Sequence, residues 1–299
     1  MAIIPGLMSY SYHLSWASGA MTPRRFMHRA AELGLRTVEW CHFPCHAPGQ
    51  VDWDQVHLLK GLGDELGIAC QVSGFAPLLA SEDERDQLEG MVATQLEVSR
   101  AIGARVLRFD GMLNSQMHIG DQAPMALCTD NLKRVVEMGQ EADIAIALED
   151  HMDFRAGDFR HFLSQIDSPY LGITLDTGNL MPVQEDAVAF AREFALRIIN
   201  CHLKGVGYVF EDYGAVLTSV EPERSIVDLR VILQVFAQQP QDITVQIEVV
   251  AMEAEGEDPL VGQYAEFLTG FLGEAEAAAP AAQAGGQPTS GQQEAQPCT

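Results

Sequence analysis

Four short apolar runs in the second half of the chain end in side chains that bind metals. Ile144–Leu148 runs into Glu149, Asp150 and His151; ITLDTGN ends in Asp176; IINCHLKG ends in His202; VQIEVV carries Glu248. A carboxylate at the end of a buried strand is costly unless it is solvated, paired or bound to a metal. One such ending reads as a helix cap or a loop residue. Four in succession are harder to explain that way, and the three carboxylates among them, if brought to one rim, would repel each other and raise their own pKa values. A divalent cation removes that penalty. Three carboxylates with one imidazole suit Mn²⁺, Mg²⁺, Co²⁺ or Zn²⁺ rather than a thiolate site.

The elements that must carry these groups alternate along the chain. Candidate strands are 7–12, 36–40, 68–73, 105–109, 144–149, 171–176, 198–202 and 243–248, and amphipathic helical patterns lie between and after them. Thr22-Pro23 opens the first helix as N-cap and N1, and Gly34 closes it. Ser81 and Glu84 form a capping box, and Asp258-Pro259 starts the last helix. Strict alternation implies parallel strands with helical crossovers. Eight strands and eight helices in this length predict a single (β/α)8 TIM barrel, whose active site lies at the C-terminal strand ends. The first strand is followed by no G-x-G-x-x-G, which disfavours a doubly wound sheet. Residues 1–273 are expected to form the barrel. Residues 274–299, rich in Ala, Gly, Gln and Pro, are expected to be a disordered tail.

The 299 residues carry a net charge of −24, from 18 basic and 42 acidic side chains. That field repels phosphate backbones and anionic membranes, so neither nucleic acid nor a membrane is expected as a partner. An anionic substrate would need a local positive centre. Six scattered cysteines without a CxxC pair, and an N-terminus without a basic, long apolar leader, point to a reduced cytoplasmic setting.

The motifs LEDH, LDTGN, CHLKG and IEVV, in that order, resemble those of the xylose isomerase-like TIM-barrel superfamily. The closest resemblance is to its sugar phosphate isomerase/epimerase branch, to which tagatose 3-epimerase belongs. The likeness extends to about Gly273. It implies that Glu149, Asp176, His202 and Glu248 ligate one divalent metal, Mn²⁺ or Mg²⁺ before Co²⁺ or Zn²⁺. It also implies that the metal polarises an α-hydroxy carbonyl substrate and stabilises its enediolate, while Glu149 and Glu248 exchange the proton. Two positions depart from the pattern. Asn179 stands where many epimerases have a histidine, and strand seven reads His202-Leu203-Lys204-Gly205 where many read HxKD. Asn179 can still donate and accept hydrogen bonds. Lys204 is retained and is one of three lysines in the chain.

Further substrate contacts are expected from His151, Asn179, Lys204, Trp40, His13 and Arg108. Tyr10 and Tyr12 share the end of strand one with His13. Trp40 is placed to stack on a sugar ring. Arg108 is placed to hold an acidic or phosphorylated group or, more simply, to pair with a neighbouring carboxylate. Cys41 to His46, CHFPCH, has zinc-ligand types, but the spacing is too tight to close one tetrahedron easily. The long aromatic segment 205–216 follows His202 and reads as a loop, either a lid or a surface or oligomer contact. The leading expectation is a metal-dependent isomerase or epimerase of a sugar, keto-sugar or polyol, as a monomer or homo-oligomer. The alternative is a lyase or dehydratase of the same superfamily, acting on a keto-inositol, a dehydroshikimate-like acid or a 3-keto-glycoside. A DNA-repair enzyme sharing this barrel, or a non-catalytic subunit, fits the charge and the intact ligand set less well.

Overall fold

The computed structural model describes residues 3–41, 51–113, 124–212 and 214–278. Its strands are β1 (Ile3–Met8), β2 (Thr37–Trp40), β3 (Ala69–Phe75), β4 (Val106–Asp110), β5 (Ala145–Glu149), β6 (Leu171–Asp176), β7 (Ile198–Leu203), β8 (Val206–Glu211), β9 (Gly214–Ser219) and β10 (Ile243–Ile247). Its α-helices are α1 (His13–Ala17), α2 (Pro23–Glu32), α3 (Trp53–Leu66), α4 (Arg85–Ile102), α5 (Met125–Ala142), α6 (Ala156–Gln165), α7 (Ala187–Glu193), α8 (Leu229–Phe236) and α9 (Ala254–Ala278). Eight strands close a barrel in the order β1-β10-β7-β6-β5-β4-β3-β2. Every neighbouring pair in it is parallel. Closure leaves no exposed strand edge. Among the described residues, no helix is long and apolar enough to cross a membrane.

Strand parity sorts the side chains into two populations. Leu7, Val38, Leu107, Ile146, Leu175, Leu203 and Val245 are buried in the hydrophobic core with the helices. The alternate residues face into the barrel, and many are polar. Low in the barrel, the Gln246 Nε2 amide donates to Thr37 Oγ1 at 2.9 Å and to Gln71 Oε1 at 2.6 Å. A Cβ at Gly6 would overlap both Gln246 Oε1 and Thr37 Oγ1, so glycine makes room for this layer. Higher up, Glu39 and Asn200 lead to the mouth.

The expected caps form. Thr22 accepts from the Arg25 N–H ahead of Pro23, and Ser81 and Glu84 make their reciprocal pair. Four expectations are corrected. The first strand is Ile3–Met8, not 7–12. After Met8 the chain turns through a 3₁₀ segment, Ser9–Tyr12, where Ser11 Oγ donates to Ile247 O and accepts from Val249 N–H. The alternating Ser-Tyr pattern mimicked a strand, but Ser11 pins a turn against β10. The last helix begins at Ala254, not at Asp258. Asp258 instead accepts from the Tyr12 hydroxyl at 2.6 Å and from Arg29 Nε at 2.8 Å. That helix also runs five residues past Gly273; the rest of the expected tail, 279–299, lies outside the described residues. Finally, segment 205–216 falls within the antiparallel β8–β9 hairpin rather than a loop. Tyr264 anchors its base, accepting from Gly205 N–H at 2.6 Å and donating to Val220 O at 2.8 Å.

Candidate active site

Each of the last four barrel strands brings one acid or imidazole to the same end. Glu149 closes β5, Asp176 closes β6, His202 lies in β7, and Glu248 follows β10 directly. All four are buried, and one ligand atom from each lies within 4.8 Å of the others. His202 Nδ1 sits among the three acids: 2.8 Å from Glu248 Oε2, 3.2 Å from Glu149 Oε1 and 3.9 Å from Asp176 Oδ2. Asp176 is fixed by the Gly178 and Asn179 backbone N–H groups, both donating to its Oδ1.

The opposite nitrogen of the imidazole exposes a residue that sequence reasoning missed. His202 Nε2 lies 3.0 Å from Glu39 Oε1, deep inside β2. Glu39 is itself oriented by the Ser73 hydroxyl and by Asn200 Nδ2, which donates to Oε2 at 2.9 Å. A carboxylate on the far nitrogen fixes the ring and raises its basicity as a ligand. The signal was present in the sequence: Glu39 is an acid inside an apolar run, the same cost that marked Glu149. Its neighbour Trp40 drew the attention instead. The structure corrects that choice. Trp40 has the opposite parity and is fully buried outside the barrel, its ring 5.0 Å from Phe26 and 6.3 Å from Trp16. It does not reach the mouth.

The remaining expected residues divide. Arg108, His151, Asn179, Lys204 and Glu248 line one cavity of about 370 Å³, with Met8, Tyr10 and Phe75 among its less polar walls. Lys204 Nζ donates to Asp176 Oδ2 at 2.7 Å and to Asn179 Oδ1 at 3.2 Å, and lies 2.9 Å from Glu248 Oε1. Asn179 Nδ2 donates to Glu149 Oε1 at 3.3 Å. Arg108 forms an ion pair with Glu149. His151 Nδ1 meets Asp110 Oδ2 at 3.2 Å, on a backbone with φ of 23°. His13 is not on this wall. Its ring stacks on Tyr10, and its Nδ1 faces Glu257 at 3.5 Å. Among the described residues that line the cavity, none belongs to the β8–β9 hairpin. Of the CHFPCH segment, residues 42–46 lie outside the described residues.

The electrostatics are those of a crowded, over-acidic mouth. Burial alone would lower the His202 pKa, but Glu39 and Glu248 outweigh it and raise the ring to about 10. Burial would raise Glu248, yet Lys204 and His202 hold it well below the usual carboxylate range. Burial likewise opposes ionisation of Glu39, but His202 and Arg108 bring it down. Asp150 is pushed well above its ordinary value by burial and by Asp176. Four carboxylates, Glu39, Glu149, Asp176 and Glu248, thus face three cationic partners, His202, Arg108 and Lys204. A divalent cation in place of the His202 proton would balance the set. The buried O/O/N/O donors and the carboxylate behind the imidazole fit such an ion.

Comparison with known proteins agrees with this geometry. The sequence pattern of the family described as xylose isomerase-like TIM barrel matches residues 27–268. Mannonate dehydratase 2 of Agrobacterium fabrum is 31% identical over 155 residues, 44% of this chain and 37% of that protein. The chain therefore spans little more than a third of that relative. The 3-oxo-isoapionate decarboxylase of Pectobacterium atrosepticum is 24% identical over 213 residues, 69% of this chain and 70% of that protein. Among solved structures, the probable 3-DHS dehydratase AsbF of Bacillus anthracis superposes with a TM-score of 0.70 at 15% identity, covering 90% of this chain and 99% of that one. An L-ribulose 3-epimerase gives 0.63 at 16% identity, covering 93% and 96%. With a family pattern matching most of its length and a closed eight-stranded barrel beneath it, this chain belongs to the xylose isomerase-like TIM-barrel family.

Proposed function

We propose that this protein is a divalent-metal-dependent isomerase or epimerase of a keto-sugar or related polyol. The observation that carries the reading is the convergence of Glu149, Asp176, His202 and Glu248 within 4.8 Å of one another, with Glu248 also lining the cavity. These four residues would hold the ion, with Mn²⁺ or Mg²⁺ the best match to a carboxylate-rich set. When bound, a divalent cation supplies Lewis acidity toward a substrate carbonyl and the negative charge that develops on it. The chain's own residues do the rest. Glu149 and Glu248 flank His202 Nδ1 and would take a proton from carbon and return it. Lys204 keeps Glu248 ionised, and so able to accept. Asn179 holds Glu149 and offers its amide to substrate hydroxyls.

A lyase or dehydratase is the second reading. The curated relatives favour it: by name, one is a dehydratase and the other a decarboxylase, and both act on sugar acids or their oxo derivatives. Isomerisation and dehydration both begin with proton removal next to a carbonyl and differ in whether a β-group then leaves, whereas a decarboxylation reaches the enolate by loss of CO₂. Proton NMR of Mn²⁺- or Mg²⁺-loaded protein with keto-sugars in D₂O separates them. Deuterium entering the substrate skeleton without loss of water supports isomerisation. An α,β-unsaturated product replaces that reading with elimination, and no exchange with any keto-sugar or keto-acid rejects both.

A further inference from the structure

We propose that the cavity reads a substrate carboxylate through Arg108, so that the molecule turned over here is a hydroxy- or keto-sugar acid. This rests on the reading of the site as a metal-assisted proton-transfer centre, and narrows it. Arg108 projects inward from β4, is 5% exposed, and lines the cavity beside Glu248 and Asn179. A guanidinium keeps its charge in any environment, so burying it is costly unless acceptors surround it. Its pairing is with Glu149, the residue a divalent cation also draws on. Its Nε–H is buried with no acceptor.

The other nearby acids are engaged elsewhere. Asp110 accepts from the Met112 N–H at 2.7 Å and faces His151 Nδ1. Glu39 serves His202, Ser73 and Asn200. Once Glu149 is shared with a cation, a guanidinium that lines the cavity has its Nε–H without an acceptor and only part of a carboxylate for its other donors. A substrate carboxylate supplies two coplanar oxygens that match the fork of an arginine. The hydroxyls of a neutral polyol offer no such coplanar pair of charged acceptors. A phosphate group would need more positive charge, and the other cation on the wall, Lys204, is already held by Asp176 and Glu248. In a chain of net charge −24, an anion is repelled at a distance, so a buried local cation has to retain it.

The test uses the full-length protein, first titrated with Mn²⁺ by calorimetry. Pentonates and hexonates are then compared with the aldonamides of the same skeletons, with alditols and with aldose phosphates. The expected result is that the acid binds about tenfold or more tighter than its amide. In Arg108→Gln the two should bind alike, with Arg108→Lys intermediate. Equal binding of acid and amide to the wild-type protein overturns the assignment without any variant. So does preference for a phosphorylated sugar. Preference for the acid that survives in Arg108→Gln also overturns it, because the metal would then be holding the carboxylate. Mn²⁺ binding without acid preference rejects this inference alone; failure to bind Mn²⁺ rejects the proposed function and this inference with it.

Discussion

Two polar layers share the inside of this barrel. The lower one, Thr37, Gln71 and Gln246, is neutral and joined through Gln246 Nε2, with Gln246 Oε1 left as one buried acceptor without a partner. The upper one collects Glu39, Glu149, Asp176, His202 and Glu248 with Arg108 and Lys204. Both follow the same inward parity, and both are buried. They differ in charge. The lower layer is neutral, and Gln246 Nε2 finds both of its acceptors inside the protein. The upper layer sets four carboxylates against three cationic partners and balances when a doubly charged ion takes the place of the His202 proton. A buried layer without charge serves the fold; one with unbalanced charge is poised for a ligand.

The widest separation between the layers is expected at the proton carriers. Glu149→Gln and Glu248→Gln should each slow deuterium exchange into substrate by about 10²–10⁴-fold, while the thermal unfolding midpoint of the metal-free protein stays close to that of the wild type. Exchange retained in both variants would remove these two residues from the chemistry. A smaller effect is expected one shell away. Glu39→Gln keeps the shape of its side chain but weakens the partner behind His202, and should lower Mn²⁺ affinity about 10–100-fold in calorimetric titration. Unchanged affinity would make Glu39 a fold residue, and so move it to the lower layer's side of the comparison. The smallest effect on the site is expected from Gly6→Ala. Its new methyl group collides with Gln246 and Thr37, costing about 1–3 kcal/mol of stability in denaturant unfolding with Mn²⁺ affinity unchanged. Loss of metal affinity in that variant would show that the two layers are not separable.

The upper layer was the more legible of the two in the sequence. β6 occupies 171–176 as expected, and β5, β7 and β10 lie within one residue of their expected bounds, because each is an apolar run closed abruptly by a polar group. Glu39 escaped because it precedes a tryptophan, and periodicity alone does not say which of two adjacent residues faces inward. Only its pairing across the barrel with His202, 163 residues away, settles that parity. The lower layer gave no signal, since Thr37, Gln71 and Gln246 are ordinary strand residues until the barrel closes around them. The displaced first strand has a similar origin: Ser11 forms a turn through contacts with residues 247 and 249, at the far end of the sequence. The β8–β9 hairpin resembles a loop in sequence because its pairing, Val206 with Ser219 and Val209 with Val216, joins short runs interrupted by glycine and acidic residues.

Metal stoichiometry tests the central claim most directly. Mn²⁺ titrated into chelator-treated full-length protein should bind at one equivalent per chain and raise the unfolding temperature, and Asp176→Asn combined with His202→Gln should abolish both effects. A wild-type protein that takes up no divalent ion and gains no stability from it, or a double variant that binds as well as the wild type, would contradict the assignment of these four side chains to a common cation.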